Sequence, residues 1–234
     1  TQANDPDMGF VLGKPRIVKM RTSDPSATRA TYRWFAMVPA GVNNYVPDNN
    51  GVFSTTGAPT IFLLALDKPA GTAWTSTGSS PNYYKISLPF DATLAVTKAT
   101  GIINLEAFTD AASVVDYVFA GDLHGKLWAL DFTGFGATDW TSGKLSKFST
   151  GSGTGLVAYP MYVAKDASGT NQPITAAPTI LQGPYDKTHY VSFGTGKYIE
   201  PLDPGTSQTN TFYVLYDNGS GSAAGGTSGV AGIN

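Results

Sequence analysis

The sequence predicts an all-β chain made of three four-stranded antiparallel β-propeller blades that belong to a larger ring. Three observations predict it. Helical periodicity is nearly absent, and the apolar runs are short, rich in β-branched and aromatic residues, and bounded by Gly, Pro, Asn and Asp. One order of three strands recurs three times along the chain. Hydrophobic residues make up 41% of the 234 residues, enough to bury a sizeable core.

The first cycle opens with Lys14–Val18, continues with Trp34–Gly41 and closes with Leu63–Asp67, with Tyr83–Leu88 as its outer strand. The second runs Gly101–Leu105, Tyr117–Gly121 and Leu127–Asp131, with Leu145–Ser149 as the candidate outer strand. The third runs Ala177–Leu181, Tyr190–Gly194 and Tyr213–Asp217. Every third strand ends on Asp. Every second strand closes on Gly, which is expected to permit a tight turn. The third strands are expected to pack blade on blade, with Trp128 buried between blades. The cycles are unevenly spaced, so Gly151–Gln172 is expected to be a surface insertion. Propellers typically use about 4–8 blades, so three imply a segment of a larger ring. Residues 1–217 are assigned to this segment, and 218–234 to a Gly/Ser-rich flexible tail or linker. The polar opening Thr1–Asp7 reads as an internal cut in a longer protein.

Charged residues reach only 14%, against about 25% in an average soluble domain, so Ser, Thr, Asn and Gly must supply the polar surface. Secreted and cell-surface β proteins often have this composition. The net charge is −2 with no basic run, which argues against electrostatic nucleic-acid binding. The absence of cysteine excludes disulfides and thiolate chemistry. No apolar stretch approaches the ~20 residues of a membrane span.

The residues offer catalysis little. His124 lies in a turn and His189 opens a strand. There is no Gly-x-Ser-x-Gly elbow. Gly194-Thr195-Gly196-Lys197 ends like a phosphate loop, but Tyr198 stands where Ser or Thr is needed. Glu106 and Glu200, the only glutamates, show no pairing for glycosidase chemistry.

The run Asp116-Tyr117-Val118-Phe119-Ala120-Gly121-Asp122-Leu123-His124-Gly125-Lys126-Leu127-Trp128-Ala129-Leu130-Asp131-Phe132 resembles the signature blade of PilC/PilY proteins. Pro173–Pro178 and Val191–Tyr198 resemble the next blade, and Phe212–Asp217 the strand after it. The resemblance implies a C-terminal propeller joined to a variable N-terminal adhesive region. It implies a non-enzymatic role in type IV pilus assembly, in opposing retraction and in attachment. The implied partners are pilin or minor pilins and a host or surface receptor. The implied location is extracellular, at the pilus tip or outer-membrane surface of a Gram-negative bacterium.

The same resemblance bears on calcium, the one cofactor it leaves open. Family members often carry D-x-[DN]-x-D-G-x-x-D before this strand, an oxygen-lined loop suited to a cation that takes six to eight ligands. Here those positions hold Phe108, Asp110, Ala112 and Asp116, with Ser113 at the glycine. Two oxygen ligands remain, Asp110 and Asp116, which also fit as ordinary turn and strand-start residues. A second oxygen-rich stretch, Asn43–Gly51, suits calcium or a plain turn, and a turn is expected. The Gly-x-Leu-Trp strand also resembles quinoprotein dehydrogenase propellers, where tryptophans dock blades, so a periplasmic enzyme of that type stays an alternative. A propeller lectin or scaffold unrelated to pili is another. Ser, Thr and Asn could serve glycan binding, though no cluster of them stands out in the sequence.

Overall fold

The computed structural model describes residues 5–43, 57–200 and 203–219. The strands are β1 (Arg16–Arg21), β2 (Tyr32–Pro39), β3 (Gly41–Asn43), β4 (Thr60–Ala65), β5 (Tyr83–Ser87), β6 (Thr100–Thr109) and β7 (Val115–Asp122). They continue with β8 (Lys126–Asp131), β9 (Phe148–Thr150), β10 (Val157–Tyr159), β11 (Tyr162–Val163), β12 (Thr179–Gln182), β13 (His189–Gly194) and β14 (Phe212–Asp217). The first sheet has the order β1-β2-β4-β5, the second β11-β8-β7-β6-β3, and the third β12-β13-β14. The pair β9 and β10 stands apart as a small antiparallel ladder. The three predicted third strands, β4, β8 and β14, therefore lie in three different antiparallel sheets, as blades require.

The sheets stack face to face in an open series, and the side-chain period of two shows how. In β7 and β8 the register sets Val118 opposite Leu130 and Ala120 opposite Trp128. These four join Met20, Phe35, Leu63 and Ile86 of the first sheet in one core. The alternate residues Phe119, Leu127 and Ala129 join Val191, Phe193 and Leu215 of the third sheet in another. The middle sheet is thus covered on both faces, which explains why its strands read as nearly unbroken apolar runs. Each fully buried aliphatic or aromatic side chain contributes about 1.5–3 kcal/mol relative to exposure. Trp128 is 1% exposed and sits between blades as expected.

The end sheets leave part of their outer faces open, although Val38 and Phe62 on the outer face of the first sheet are buried in a small cluster of their own. Ile17, Tyr32 and Trp34 lie exposed on the far side of the first sheet, and Leu181, Tyr190, Phe212 and Val214 on the far side of the third. Ile17 is 61% and Phe212 70% exposed.

Three expectations need correction. Leu145–Ser149 is not the outer strand of the second sheet. Its backbone joins β8 at the Leu130–Ser146 bridge and the Lys147 N–H to Ala129 carbonyl bond of 2.9 Å, and β9 then leaves to pair with β10. The outer place is completed by β11, where Tyr162 pairs with Leu127. Gly151–Gln172 is accordingly not a mere surface insertion, because Met161, Ala164 and Gln172 within it are fully buried.

The third correction concerns Gly121. It is required by packing and not by a turn, since a Cβ there would meet Ile174 Cγ2 at 2.2 Å. The left-handed turn residue is Gly125, four positions later, at φ +79°. Most of the oxygen-rich stretch at 43–51 and nearly all of the 218–234 tail lie outside the described residues.

Candidate functional site

Three turns share one hydrogen-bonding plan. Between β7 and β8, Asp122 Oδ1 accepts the N–H groups of His124 and Lys126, both at 2.9 Å. Gly125 N–H donates to the Asp122 carbonyl at 3.1 Å. Between β6 and β7, Asp110 Oδ1 accepts from Ala112 and Val114 at 2.8 and 2.9 Å, and Ser113 N–H donates to the Asp110 carbonyl at 3.0 Å. After β11, Asp166 Oδ1 accepts from Ser168 and Thr170 at 2.9 Å each, and Gly169 N–H donates to the Asp166 carbonyl at 2.9 Å. The fourth residue is left-handed each time, with φ of +79° at Gly125, +60° at Ser113 and +83° at Gly169. The carboxylate satisfies amides that a tight reversal leaves without ladder partners, which is why Asp opens each turn.

This plan accounts for the signature run. Asp122 is buried, and its second oxygen, Oδ2, accepts Trp128 Nε1–H at 2.9 Å. One carboxylate thus fixes both the turn and the tryptophan that packs against the neighbouring sheet. Burial pushes the Asp122 carboxyl above its usual range despite these bonds. His124, in the same turn, is buried with Nε2 3.4 Å from the Lys98 carbonyl, and burial lowers its pKa.

Of the two predicted calcium ligands, Asp110 has one oxygen committed to two turn amides. Asp116 lies on β7, and burial together with the nearby Asp110 and Asp131 carboxylates raises its pKa. The fold gathers acidic groups here. Among the described residues, however, no three His, Asp or Glu side chains converge closely enough to hold a metal.

A buried cluster between the second and third sheets was missed in the sequence. Lys147 pairs with Asp217, and their side chains are 4% and 0% exposed. His189 Nδ1 lies 3.5 Å from Asp217 Oδ2, too long for a full hydrogen bond. The rings of Tyr117, Phe108 and Phe119 surround His189 edge-on at 4.6, 4.9 and 5.7 Å. Lys147 Nζ lies 5.2 Å over the Tyr117 ring. Burial raises the Asp217 carboxyl, but His189 and Lys147 outweigh it and hold the group below its usual range. The only sequence signal was the Asp that ends each third strand, and the three serve differently. Asp67 pairs with Arg33, Asp131 bonds the Thr133 N–H at 2.8 Å, and Asp217 pins two blades together.

A family profile described as the PilY1 beta-propeller domain matches residues 94–234. The type IV pilus biogenesis factor PilY1 of Pseudomonas aeruginosa PAO1 is 36% identical over 243 residues, covering 95% of this chain and 17% of that protein. The PilY1 homolog of Xylella fastidiosa is 28% identical over 226 residues, covering 95% of this chain and 13% of that protein. The chain therefore spans less than a fifth of the length of these relatives. The crystal structure of the P. aeruginosa PilY1 C-terminal domain superposes with a TM-score of 0.65 at 24% identity, covering 96% of this chain and 41% of that one, a likeness of fold. With the repeated blades and the Asp122–Trp128 signature in place, the profile match shows that the chain belongs to the PilY1 β-propeller domain family.

Proposed function

We propose that this chain supplies blades to the propeller of a non-enzymatic type IV pilus biogenesis factor. In this reading the whole protein supports pilus assembly and attachment to a host or other surface, outside the cell. Its partners are pilin or minor pilins and a surface receptor. The observation that carries the reading is the 36% identity, over 95% of the chain, to a protein named as a type IV pilus biogenesis factor. The exposed apolar faces around Trp34 and Phe212 support a place inside a larger ring, since flanking blades would bury them. The polar groups that catalysis would need are instead used in structure: Asp122 in a turn, and Asp217 and His189 in the interblade cluster. Asp110 and Asp116 are read as turn and strand residues, not as a complete calcium site.

Deleting the gene for the full-length protein is expected to strip pili from the cell surface and reduce attachment, with both restored by the intact gene. Unchanged recovery of sheared pili in the deletion strain would overturn the assembly reading.

A further inference from the structure

A cleft of about 760 Å³ opens beside the first sheet, between the Ser76–Pro81 loop and the Ala137–Thr138 segment. Its floor is a preformed ion pair. Arg33 Nε and Nη2 donate to the two carboxylate oxygens of Asp67 at 2.9 and 2.7 Å, and Nη1 donates to the Pro81 carbonyl at 2.9 Å. Asp67 and Pro81 commit three of the five Arg33 N–H donors and the guanidinium also bonds Tyr84, so the open positions of this floor are the acceptors of Asp67. The Asp67 side chain is 57% exposed and presents these acceptors to solvent. Tyr84 forms part of the apolar lining and is wedged edge-on by Trp140 at 4.9 Å and Phe35 at 5.8 Å.

The loop that forms the wall is anchored at its base. Asn82 Oδ1 accepts the Thr75 N–H at 2.8 Å, and Asn82 Nδ2 donates to the Ala73 carbonyl at 2.9 Å. Above that anchor, the hydroxyls of Ser76, Ser79 and Ser80 make no hydrogen bond to any described residue.

The charges of the floor cancel, so the cleft has no net field for an anion and too few carboxylates for a metal. What it presents is a carboxylate edge that accepts, free hydroxyls that donate and accept, and a held aromatic ring. A ligand matching all three is an uncharged one whose hydroxyls donate and accept along adjacent positions and which carries an apolar face. We propose that this cleft binds a short neutral oligosaccharide. Its size lies within the roughly 300–1,000 Å³ range of small-molecule sites. The proposal rests on the attachment reading above and names the chemistry of one surface receptor, a glycan.

The test is a printed array of neutral, sialylated and sulfated glycans probed with the full-length protein and two variants. Asp67→Asn alters the floor, and Ser79→Trp fills the cleft from an exposed loop position without touching the core. Retention of neutral glycans by the parent protein, weakened at least about tenfold by both variants, is the result expected. Failure to retain any neutral glycan, retention of charged glycans alone, or neutral binding that both variants leave intact would overturn it. Cell attachment is measured alongside. Attachment that persists while the array stays blank removes the glycan proposal and leaves the attachment reading standing.

Discussion

Trp128 Nε1 donates to Asp122 Oδ2 at 2.9 Å, while the other oxygen of that carboxylate holds two amides of the β7–β8 turn. The turn and the blade interface are therefore one unit. Asp122→Ala leaves the buried indole N–H and the turn amides without acceptors and should cost about 3 kcal/mol. Trp128→Ala should cost about 3–5 kcal/mol, the usual range for deleting a buried large aromatic. Trp128→Phe keeps most of the volume but removes the donor. Its loss should therefore be non-additive with Asp122→Ala, with a coupling of at least about 0.5 kcal/mol in urea unfolding. Strict additivity would show that the hydrogen bond contributes nothing.

The Lys147–Asp217 pair gives a second prediction. Removing one partner leaves a buried uncompensated charge, so Asp217→Ala should cost about 3–5 kcal/mol. The double variant Lys147→Met, Asp217→Leu should recover most of that. The Asp217 carboxyl is depressed in the fold, so its contribution is full above the ordinary Asp value of about 3.9 and is lost as pH falls through the lower folded value. Thermal melts from pH 6 down to pH 2 should therefore decline less steeply in the double variant than in the parent, the other depressed carboxylates being common to both. Parallel curves would place the pair outside the acid response.

The sequence made the blades legible because their cause is local. An aliphatic and aromatic run closed by Asp is visible in Leu127–Asp131 without any long-range knowledge. The site was less legible, because its contacts are distant in the chain. Lys147 lies 70 positions from Asp217, and Arg33 lies 34 from Asp67. The outer strand of the second sheet failed for a related reason. Tyr162–Val163 is two residues long, too short to carry an alternation, whereas the longer Leu145–Ser149 is recruited elsewhere. Gly121 was read as a turn because a sequence cannot show that Ile174 fills the space of its missing side chain.

The shared turn plan predicts opposite effects at equivalent positions. Ser113 occupies the left-handed place at φ +60°, where an L-residue is strained by about 1–2 kcal/mol. Ser113→Gly relieves that strain and returns part of it as unfolded-chain entropy, so stability should rise by up to about 1 kcal/mol. Gly125→Ala should do the reverse and cost more. It imposes the same strain at φ +79° and brings a Cβ to 2.8 Å from the Gln172 carbonyl. Denaturant midpoints measured for both variants check the signs, and a stabilising Gly125→Ala would refute the common plan.

The Asp110–Asp116 loop supplies the final prediction, in which calcium and pH are separated. Asp110 holds two turn amides, so Asp110→Ala should cost about 1 kcal/mol whether or not calcium is present. Asp116 behaves differently, because burial and the neighbouring Asp110 and Asp131 raise its pKa in the fold. Below about pH 3.9 it is protonated in both states and imposes no penalty. As pH rises the unfolded chain ionises first, so stability falls until the folded pKa is passed, and the penalty then persists at neutral pH. Asp116→Asn should therefore melt higher than the parent at pH 7 in chelator, with the difference closing toward pH 3. Added calcium should leave both melting temperatures in place. A bound ion would reverse this pattern, because it stabilises the fold by mass action and neutralises the clustered carboxylates. A calcium-dependent rise in the parent that Asp116→Asn abolishes would then make Asp116 a metal ligand, with other oxygens completing the shell.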